Sequence, residues 1–292
     1  MNAAGGDVSD LDIPFRAAWE PKPASRRSDD PILLVSRPGG DVLVPRDAPV
    51  AFPDESRLEG LPGRWDRLGI GTLGGRPVVL VSAPPGEEAP EGTEWSSPRP
   101  IFASLDAGRL EALCRASMLA SWDYDHRYCG RCGTPTRRDP KEAARVCPSC
   151  AFRSYPRVSP AMIVRITDGR RILLAHNRRF PGGVFSCVAG YVDPGESLEA
   201  TVLREIKEEV GLDAAPPRYL SSQAWPFPHS LMLGFATTAS GEPVPDGVEI
   251  TDARWFDPED LPHIPRRGTI SRRIIDLWLD EIGVPSPPDR YW

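Results

Sequence analysis

The chain of 292 residues lacks any apolar stretch long enough to cross a bilayer, so the sequence predicts no membrane partner. It also lacks an excess of positive charge. A net charge of −6 and a pI near 5.4 argue against a protein whose main task is to bind nucleic acid through a basic surface. The first residues, MNAAGGDVSDLDIPF, have neither the basic segment nor the apolar core of a secretion signal. We therefore expect a cytoplasmic protein.

The first third of the chain contains short apolar segments separated by Gly/Pro turns. Ile32–Ser36, Val42–Val44 and Val78–Ser82 predict strands of a small mixed domain. The segment Pro84–Pro98 is rich in Pro, Glu and Gly and predicts a loop. A helix is expected to begin at Asp106, a good N-cap residue, and to continue to about position 122.

Only six cysteines are present, and four of them form two CxxC pairs separated by 14 residues: Cys129, Cys132, Cys147 and Cys150. Four thiolates in two close pairs suit a tetrahedral structural Zn²⁺ site. Disulfides would need an oxidising compartment, and a redox CxxC is the other alternative. Cys114 and Cys187 are expected to be buried as small apolar residues.

Residues 190–212, GYVDPGESLEATVLREIKEEVGL, combine an apolar helix face with a crowded set of carboxylates. At helical spacing one arc holds Leu198, Val202, Leu203, Ile206 and Val210. Glu205, Glu208 and Glu209 occupy the adjacent arc. Like charges at this spacing destabilise a helix unless they are neutralised, and hard cations such as Mg²⁺ or Mn²⁺ prefer oxygen ligands. A solvated charged helix face is the alternative.

The spacing of this segment fits the pattern G-x5-E-x7-R-E-U-x-E-E-x-G-U (U aliphatic) at every fixed position: Gly190, Glu196, Arg204, Glu205, Ile206, Glu208, Glu209, Gly211 and Leu212. The chain therefore resembles the Nudix hydrolase superfamily. The resemblance implies an α/β (α+β) fold, an α/β/α sandwich around a mixed sheet. The expected elements of that fold are the hairpin of Ala161–Ile166 and Ile172–His176, the strand Leu231–Thr237 and a final helix from Thr269 to Glu281.

A third motif follows the box, Ser222–Ser230 with the sequence SQAWPFPHS. Taken alone, its prolines and aromatics predict a rigid surface loop. After a Nudix box and a four-cysteine ribbon, it is similar to the SQPWPFPxS signature of the NADH pyrophosphatase family, from which it departs at Ala224. This resemblance implies a degenerate Nudix-like domain over 1–124, a zinc ribbon over 125–156 and a catalytic domain over 157–292. It also implies a homodimer whose sites use residues of both subunits.

The family resemblance further implies the site residues. The Mg²⁺ or Mn²⁺ ligands are Glu205, Glu209, Glu249 and the main-chain carbonyl of Ala189, with Glu208 assisting and Arg204 fixing a glutamate. The general base is left open among the glutamates. Tyr155 and Tyr191 are expected to stack on the rings of the dinucleotide. The other expected substrate contacts are Glu142, Gln223, Ala224, Trp225, Pro226, Phe227, Pro228, His229, Ser230, Ser271, Arg99 and Arg46.

The implied activity is metal-dependent hydrolysis of NADH, and of NAD⁺, to nicotinamide mononucleotide and AMP, with removal of NAD caps from RNA 5′ ends as a further activity. One alternative is a broad hydrolase of ADP-ribose or diadenosine polyphosphates. An alternative from another class is a nucleic-acid-binding zinc-ribbon protein with an inactive Nudix domain. The complete set of box carboxylates argues against that last interpretation.

Overall fold

The computed structural model describes residues 15–21, 31–48, 65–102, 104–180 and 182–289. The chain divides into two compact units, Met1–Arg157 and Val158–Trp292. None of the helices in the described ranges is long and apolar enough to span a membrane.

A six-stranded sheet forms the centre of the first unit. Its strands, in chain order, are β1 (Phe15–Glu20), β2 (Ile32–Ser36), β3 (Val42–Pro45), β4 (Asp66–Leu73), β5 (Arg76–Ser82) and β6 (Thr93–Ser96). They lie in the order β1-β4-β5-β2-β3-β6, and only β2 and β5 run parallel. The three expected strands are present. The expected loop Pro84–Pro98 is partly wrong, because β6 lies within it and pairs with β3.

A long helix covers one face of this sheet. The four-residue helix α1 (Arg99–Phe102) precedes α2 (Ala107–Asp125), which begins as expected after Asp106. The side chain of Asp106 accepts a hydrogen bond from the Arg109 amide, which satisfies a free amide of the first turn. Small residues of α2, Ala112 and Ala116, then pack against Leu68 of β4 in a buried core.

The ribbon is the third part of the first unit, with strands β7 (Arg137–Arg138), β8 (Arg145–Val146) and β9 (Arg153–Ser154) in that order. It is held to the preceding domain by ion pairs. Arg138 contacts Asp123 of α2 at 2.7 Å and Asp66 of β4 at 2.5 Å. Arg145 also contacts Asp123, at 2.6 Å. Two arginines around one nearly buried carboxylate are favourable because each charge is paired.

The second unit has the expected mixed sheet. Its strands are β10 (Ser159–Asp168), β11 (Arg171–Asn177), β12 (Val188–Tyr191), β13 (Arg218–Trp225), β14 (Ser230–Thr238) and β15 (Ile250–Phe256). The order is β13-β14-β10-β11-β15, with β12 paired to β10. β10 and β14 are parallel, whereas the other pairs are antiparallel. The expected hairpin between β10 and β11 is confirmed.

Two helices sandwich this sheet, α3 (Leu198–Val210) and α4 (Ile270–Glu281). Alternate residues of β10 explain how both faces are buried. Met162 contributes to the core under α3, together with Ile206. Its neighbour Ile163 contributes to the core under α4, together with Ile274. The strand is therefore apolar at successive positions, as is typical of a strand covered on both sides, and the α/β/α architecture is confirmed.

Two expectations in this unit need correction. The segment Ser222–Ser230 is not simply a loop: its first four residues end β13, and Ser230 begins β14, so the Pro/aromatic residues form the connecting turn. Main-chain pairing to β14 outweighs the poor strand propensity of the sequence. Leu203 does not pack into the core, because 38% of its surface is exposed at the edge of the apolar face of α3.

Candidate active site and zinc site

The carboxylate-bearing helix α3 has well-defined ends. The side chain of Ser197 accepts a hydrogen bond from the Ala200 amide at 3.2 Å, and Gly211 ends the helix in the left-handed region with φ 73°. A left-handed C-cap strongly favours glycine, which explains the last glycine of the box. These caps fix the length of the helix and therefore where its glutamates lie.

Arg204 organises three of the glutamates. Its Nε and Nη2 donate to the two oxygens of Glu196 at 2.7 and 2.9 Å, a bidentate arrangement. Its Nη1 donates to Glu205 at 3.0 Å and to Glu208 at 2.9 Å. Nη2 also donates to the carbonyl of Tyr191 at 3.0 Å, which ties the helix to the end of β12. The hydrogen bond from Arg204 lowers the pKa of Glu196 to about 2.

Glu209 is the buried member of the cluster, with 7% of its surface exposed. Among the described residues, its Oε2 has no hydrogen-bond partner. Burial first, and then the charges of Glu205, Glu249 and Asp246, raise the pKa of Glu209 to about 8, against a backbone hydrogen bond from Ala189 that lowers it. A buried carboxylate surrounded by other carboxylates is destabilised in its charged form unless a cation is added.

Steric crowding explains why the first residue of the box, Gly190, is a glycine. A Cβ on Gly190 would come within 2.0 Å of the Glu205 carboxylate. A larger residue at this position would therefore displace the Glu205 carboxylate from where it lies against β12. Glu205 is thereby held against the strand, with 12% of its side chain exposed, and burial raises its pKa.

The loop before β15 places Glu249 with the help of Asp246, a residue that the sequence analysis did not select. The Asp246 Oδ1 accepts hydrogen bonds from the amides of Val248, Glu249 and Ile250 at 2.9, 3.1 and 2.8 Å. The Asp246 amide donates to the carbonyl of Glu209 at 3.1 Å. An aspartate followed by glycine is a typical turn signal, and it could have identified this residue.

Thr201 is a second residue of the site that the sequence analysis did not select. Thr201, completely buried in the first turn of α3, donates from Oγ1 to Glu196 at 2.9 Å, and the Asp193 amide donates to the same carboxylate at 3.1 Å. A threonine on a helix is too common for its sequence position to reveal this role.

The glutamate cluster fits a hard divalent cation chemically. Glu205, Glu209 and Glu249 offer only carboxylate oxygens, the donors that Mg²⁺ and Mn²⁺ prefer, and the unpartnered Oε2 of Glu209 is available for a cation. These oxygens are not drawn into a tight group. Within the described ranges, only the four cysteines form a set of three or more donors that all lie within 4.8 Å of one another.

The four cysteines of the ribbon bring their Sγ atoms close together because the two CxxC turns have the same shape. The Sγ atom of Cys132 lies 3.5 Å from the Sγ atoms of Cys147 and of Cys150, and the Sγ atoms of Cys129 and Cys150 are 3.6 Å apart. Four ligands around a zinc ion at about 2.3 Å would be separated by similar distances. Gly133 and Ala151 follow the second cysteine of each CxxC turn, and both have positive φ, 74° and 56°. The thiolates therefore suit a closed structural zinc site.

The motif Ser222–Ser230 combines structural and exposed groups. Gln223 is buried: its Nε2 donates to the Gly268 carbonyl and its Oε1 accepts from the Ile270 amide, both at 2.7 Å, so it caps α4. Ser230, also buried, shares a hydrogen bond of 2.9 Å with the hydroxyl of Tyr191. That contact brings the motif to the end of β12.

The remaining residues of the motif line the same turn. His229 Nδ1 lies 3.1 Å from Ser159 Oγ. The rings of Trp225 and Phe227 meet edge to face with centroids 5.1 Å apart. Ala224 is half-buried beside them, Pro226 is buried and Pro228 is exposed.

The other expected contacts occupy different environments. Ser271 is buried, and its Oγ shares a hydrogen bond of 2.7 Å with the Oγ of Ser186. In the first unit, Arg46 Nε donates to the Thr93 carbonyl at 3.0 Å, and Arg99 is exposed in α1. Tyr155, 53% exposed, donates to Glu142 at 3.2 Å. Tyr191 is 52% exposed, so both tyrosines are accessible at the surface.

Comparisons with known proteins give a consistent result along the chain. Family models match a NUDIX domain over residues 156–278, an NADH pyrophosphatase zinc ribbon domain over 125–155 and an NADH pyrophosphatase-like rudimentary NUDIX domain over 31–122. The chain is 45% identical to the NAD-capped RNA hydrolase NudC of Stutzerimonas stutzeri (strain A1501), over 82% of this chain and 88% of that protein. It is 39% identical to the protein of the same name from Pseudomonas fluorescens (strain Pf0-1), over 85% and 92% respectively.

Proposed function

Because the chain belongs to the NADH pyrophosphatase family of Nudix hydrolases, we propose that it hydrolyses the pyrophosphate bond of NADH and NAD⁺ and removes NAD caps from RNA 5′ ends. The observation that carries this proposal is the complete box: Glu196, Glu205 and Glu208 are hydrogen-bonded to Arg204, and the fourth glutamate, Glu209, is buried on the same helix. A domain that only binds nucleic acid has no use for such a cluster.

In the proposed reaction, water adds to one phosphorus, the bridging P–O bond breaks, and nicotinamide mononucleotide and AMP leave. Glu205, Glu209, Glu249 and the Ala189 carbonyl would hold Mg²⁺ or Mn²⁺, which would neutralise the charge of the pyrophosphate and make a bound water more acidic. A glutamate of the cluster accepts the proton that the water loses. Arg204 keeps Glu196 ionised and holds Glu205 and Glu208 in place.

Recognition of the dinucleotide is assigned to the two exposed tyrosines, Tyr155 and Tyr191, because an aromatic face can stack on nicotinamide or adenine. The turn of Ser222–Ser230 is also proposed to contact the dinucleotide, and Glu142, Ser271, Arg99 and Arg46 are proposed as further substrate contacts. Ser271 and Gln223 are buried and hydrogen-bonded within the second unit, so their part is to hold the neighbouring main chain in place.

The proposal includes the organisation of the protein. Residues 1–124, 125–156 and 157–292 serve as the Nudix-like domain, the zinc ribbon and the catalytic domain. Two copies form a homodimer, and the enzyme acts in the cytoplasm. Sedimentation equilibrium of the purified zinc-loaded protein tests the dimer directly.

The activity is tested with a substrate panel of NADH, NAD⁺, ADP-ribose and NAD-capped RNA, each with Mg²⁺ and with Mn²⁺. We expect kcat/KM to be highest for the nicotinamide substrates. Glu209→Gln should have a greatly lowered kcat on all of them, and Glu199→Gln, which changes an exposed carboxylate of the same helix, serves as the matched control. A higher kcat/KM for ADP-ribose than for NADH would favour the broad dinucleotide hydrolase instead.

A further inference from the structure

The zinc ribbon differs in charge from the rest of the chain. Residues 125–157 contain eight basic and three acidic side chains, a net charge of +5 before the zinc site is counted, in a protein whose net charge is −6. A tetrathiolate zinc site carries a charge of about −2, which leaves the ribbon positive. Such a local excess is the electrostatic feature expected of a surface that meets an anion.

Part of this charge lines a groove of about 710 Å³ within the first unit. Arg145 and Arg153 lie along it but are neutralised, the first by Asp123 and the second by Asp139 and Glu142. Arg131 and Arg157 also line it, both are exposed, and neither has a carboxylate partner among the described residues. The groove therefore offers two uncompensated cations.

Two aromatic residues line the same groove as these cations. Tyr128 is 65% exposed, and Phe152 is half-buried in the groove wall. The guanidinium of Arg131 lies over the Phe152 ring, 4.8 Å from its centroid, and is thereby held in place. Rings beside cations along a groove are the combination that binds single-stranded nucleic acid, in which bases stack and phosphates pair. A duplex would not offer its base faces.

We propose that the groove formed by Tyr128, Arg131, Phe152 and Arg157 binds the unpaired nucleotides that follow the NAD cap of an RNA. The inference rests on the proposed function, because Tyr155, assigned there to the dinucleotide, lines the same groove. The groove volume lies in the range of pockets that hold nucleotide-sized ligands. The nucleotide after the cap stacks on Tyr128, and its phosphates pair with Arg131 and Arg157.

The test compares kcat/KM for NAD-capped single-stranded RNA and for NADH in Tyr128→Ala and Arg131→Gln. Losing one stacked base should lower kcat/KM for the RNA about fivefold or more. The value for NADH should stay within about twofold of wild type. Tyr128→Phe keeps the ring and should restore the RNA activity. Arg137→Gln is the matched control, because Arg137 is an exposed ribbon arginine outside the groove.

Salt dependence gives a second readout that a purely structural role would not change. In a plot of log(kcat/KM) for capped RNA against log(salt), each lost phosphate contact should reduce the slope by about 0.7. This reduction is expected for Arg131→Gln and Arg157→Gln but not for Arg137→Gln. Zinc content is measured for every variant, so that loss of the ribbon fold is recognised.

Each outcome decides between the two proposals. If the wild-type enzyme does not hydrolyse NAD-capped RNA, the cap-removal function fails and the inference falls with it. If it does, but the Tyr128 and Arg131 variants retain full activity on RNA, the inference alone is overturned, and an acidic protein segment becomes the better candidate for the groove. Equal losses on NADH and RNA in zinc-loaded variants would also overturn it.

Discussion

Replacing Glu209 with glutamine should have opposite effects on activity and on stability. The pKa of this buried carboxyl in the metal-free protein is about 8, raised from 4.5. Between these two values the folded protein keeps a proton that the unfolded chain has lost. The protonated Glu209 carboxyl therefore contributes fully to the free energy of unfolding below its ordinary pKa. This contribution is lost as the pH rises from there through 8.

The magnitude follows from the shift. One pKa unit corresponds to about 1.4 kcal/mol, so this group should lower the free energy of unfolding by about 3 kcal/mol between about pH 5 and about pH 8. Glutamine stays neutral and removes that loss. We expect Glu209→Gln to be more stable than wild type at pH 8 without metal, while its kcat with saturating Mg²⁺ falls by about three orders of magnitude.

Urea denaturation of the metal-free, zinc-loaded protein at several pH values measures the effect. Glu199→Gln is the control, because it removes an exposed carboxylate of the same helix that lies outside the Arg204 cluster. Added Mg²⁺ should raise the free energy of unfolding of the wild type at pH 8 more than that of Glu209→Gln. The reasoning would be refuted if the free energy of unfolding depended on pH identically in wild type and Glu209→Gln. It would also be refuted if the variant kept the wild-type kcat.

Three further predictions follow from the site geometry. Cys147→Ser should lose the roughly one zinc per chain and with it much of the stability, as measured by metal analysis and thermal unfolding, whereas full zinc retention would contradict the ribbon assignment. Tyr155→Ala and Tyr191→Ala should each lower kcat/KM for NADH by about 5- to 150-fold and that for ADP-ribose less, and equal losses on both would assign these rings to packing or to the shared ADP half. Gly190→Ala should displace Glu205 and weaken Mg²⁺ activation, seen as a higher metal concentration at half-maximal rate, and an unchanged titration would contradict the steric argument.

The sequence predicted the elements of the second unit well where local signals agreed with the tertiary structure. The helix expected from Thr269 to Glu281 begins at Ile270, with Thr269 as its N-cap, and Gly211 ends α3. The prediction failed where long-range pairing decides. Thr93–Ser96 has no strong strand pattern, and it becomes β6 only because it pairs with β3 across the sheet.

In the candidate site, too, local sequence signals predicted some features, and tertiary packing decided the others. The box spacing predicted that Arg204 would contact a glutamate, and Arg204 does contact Glu205, because the two lie side by side on one helix. It did not reveal that Glu209 would be buried, which depends on the packing of α3 against the sheet. Nor did it reveal Asp246, which acts through main-chain amides of a loop that is remote from α3 in sequence.

The central claim is that the pyrophosphate bond of a nicotinamide dinucleotide is the bond that breaks. Incubating the zinc-loaded enzyme with NAD⁺ and Mg²⁺ in oxygen-18 water, followed by mass spectrometry of the products, tests it most directly. The account predicts nicotinamide mononucleotide and AMP in equal amounts, with one oxygen-18 atom in a phosphate of one of them. Free nicotinamide with ADP-ribose, or intact NAD⁺ in the presence of saturating Mg²⁺ or Mn²⁺, would contradict it.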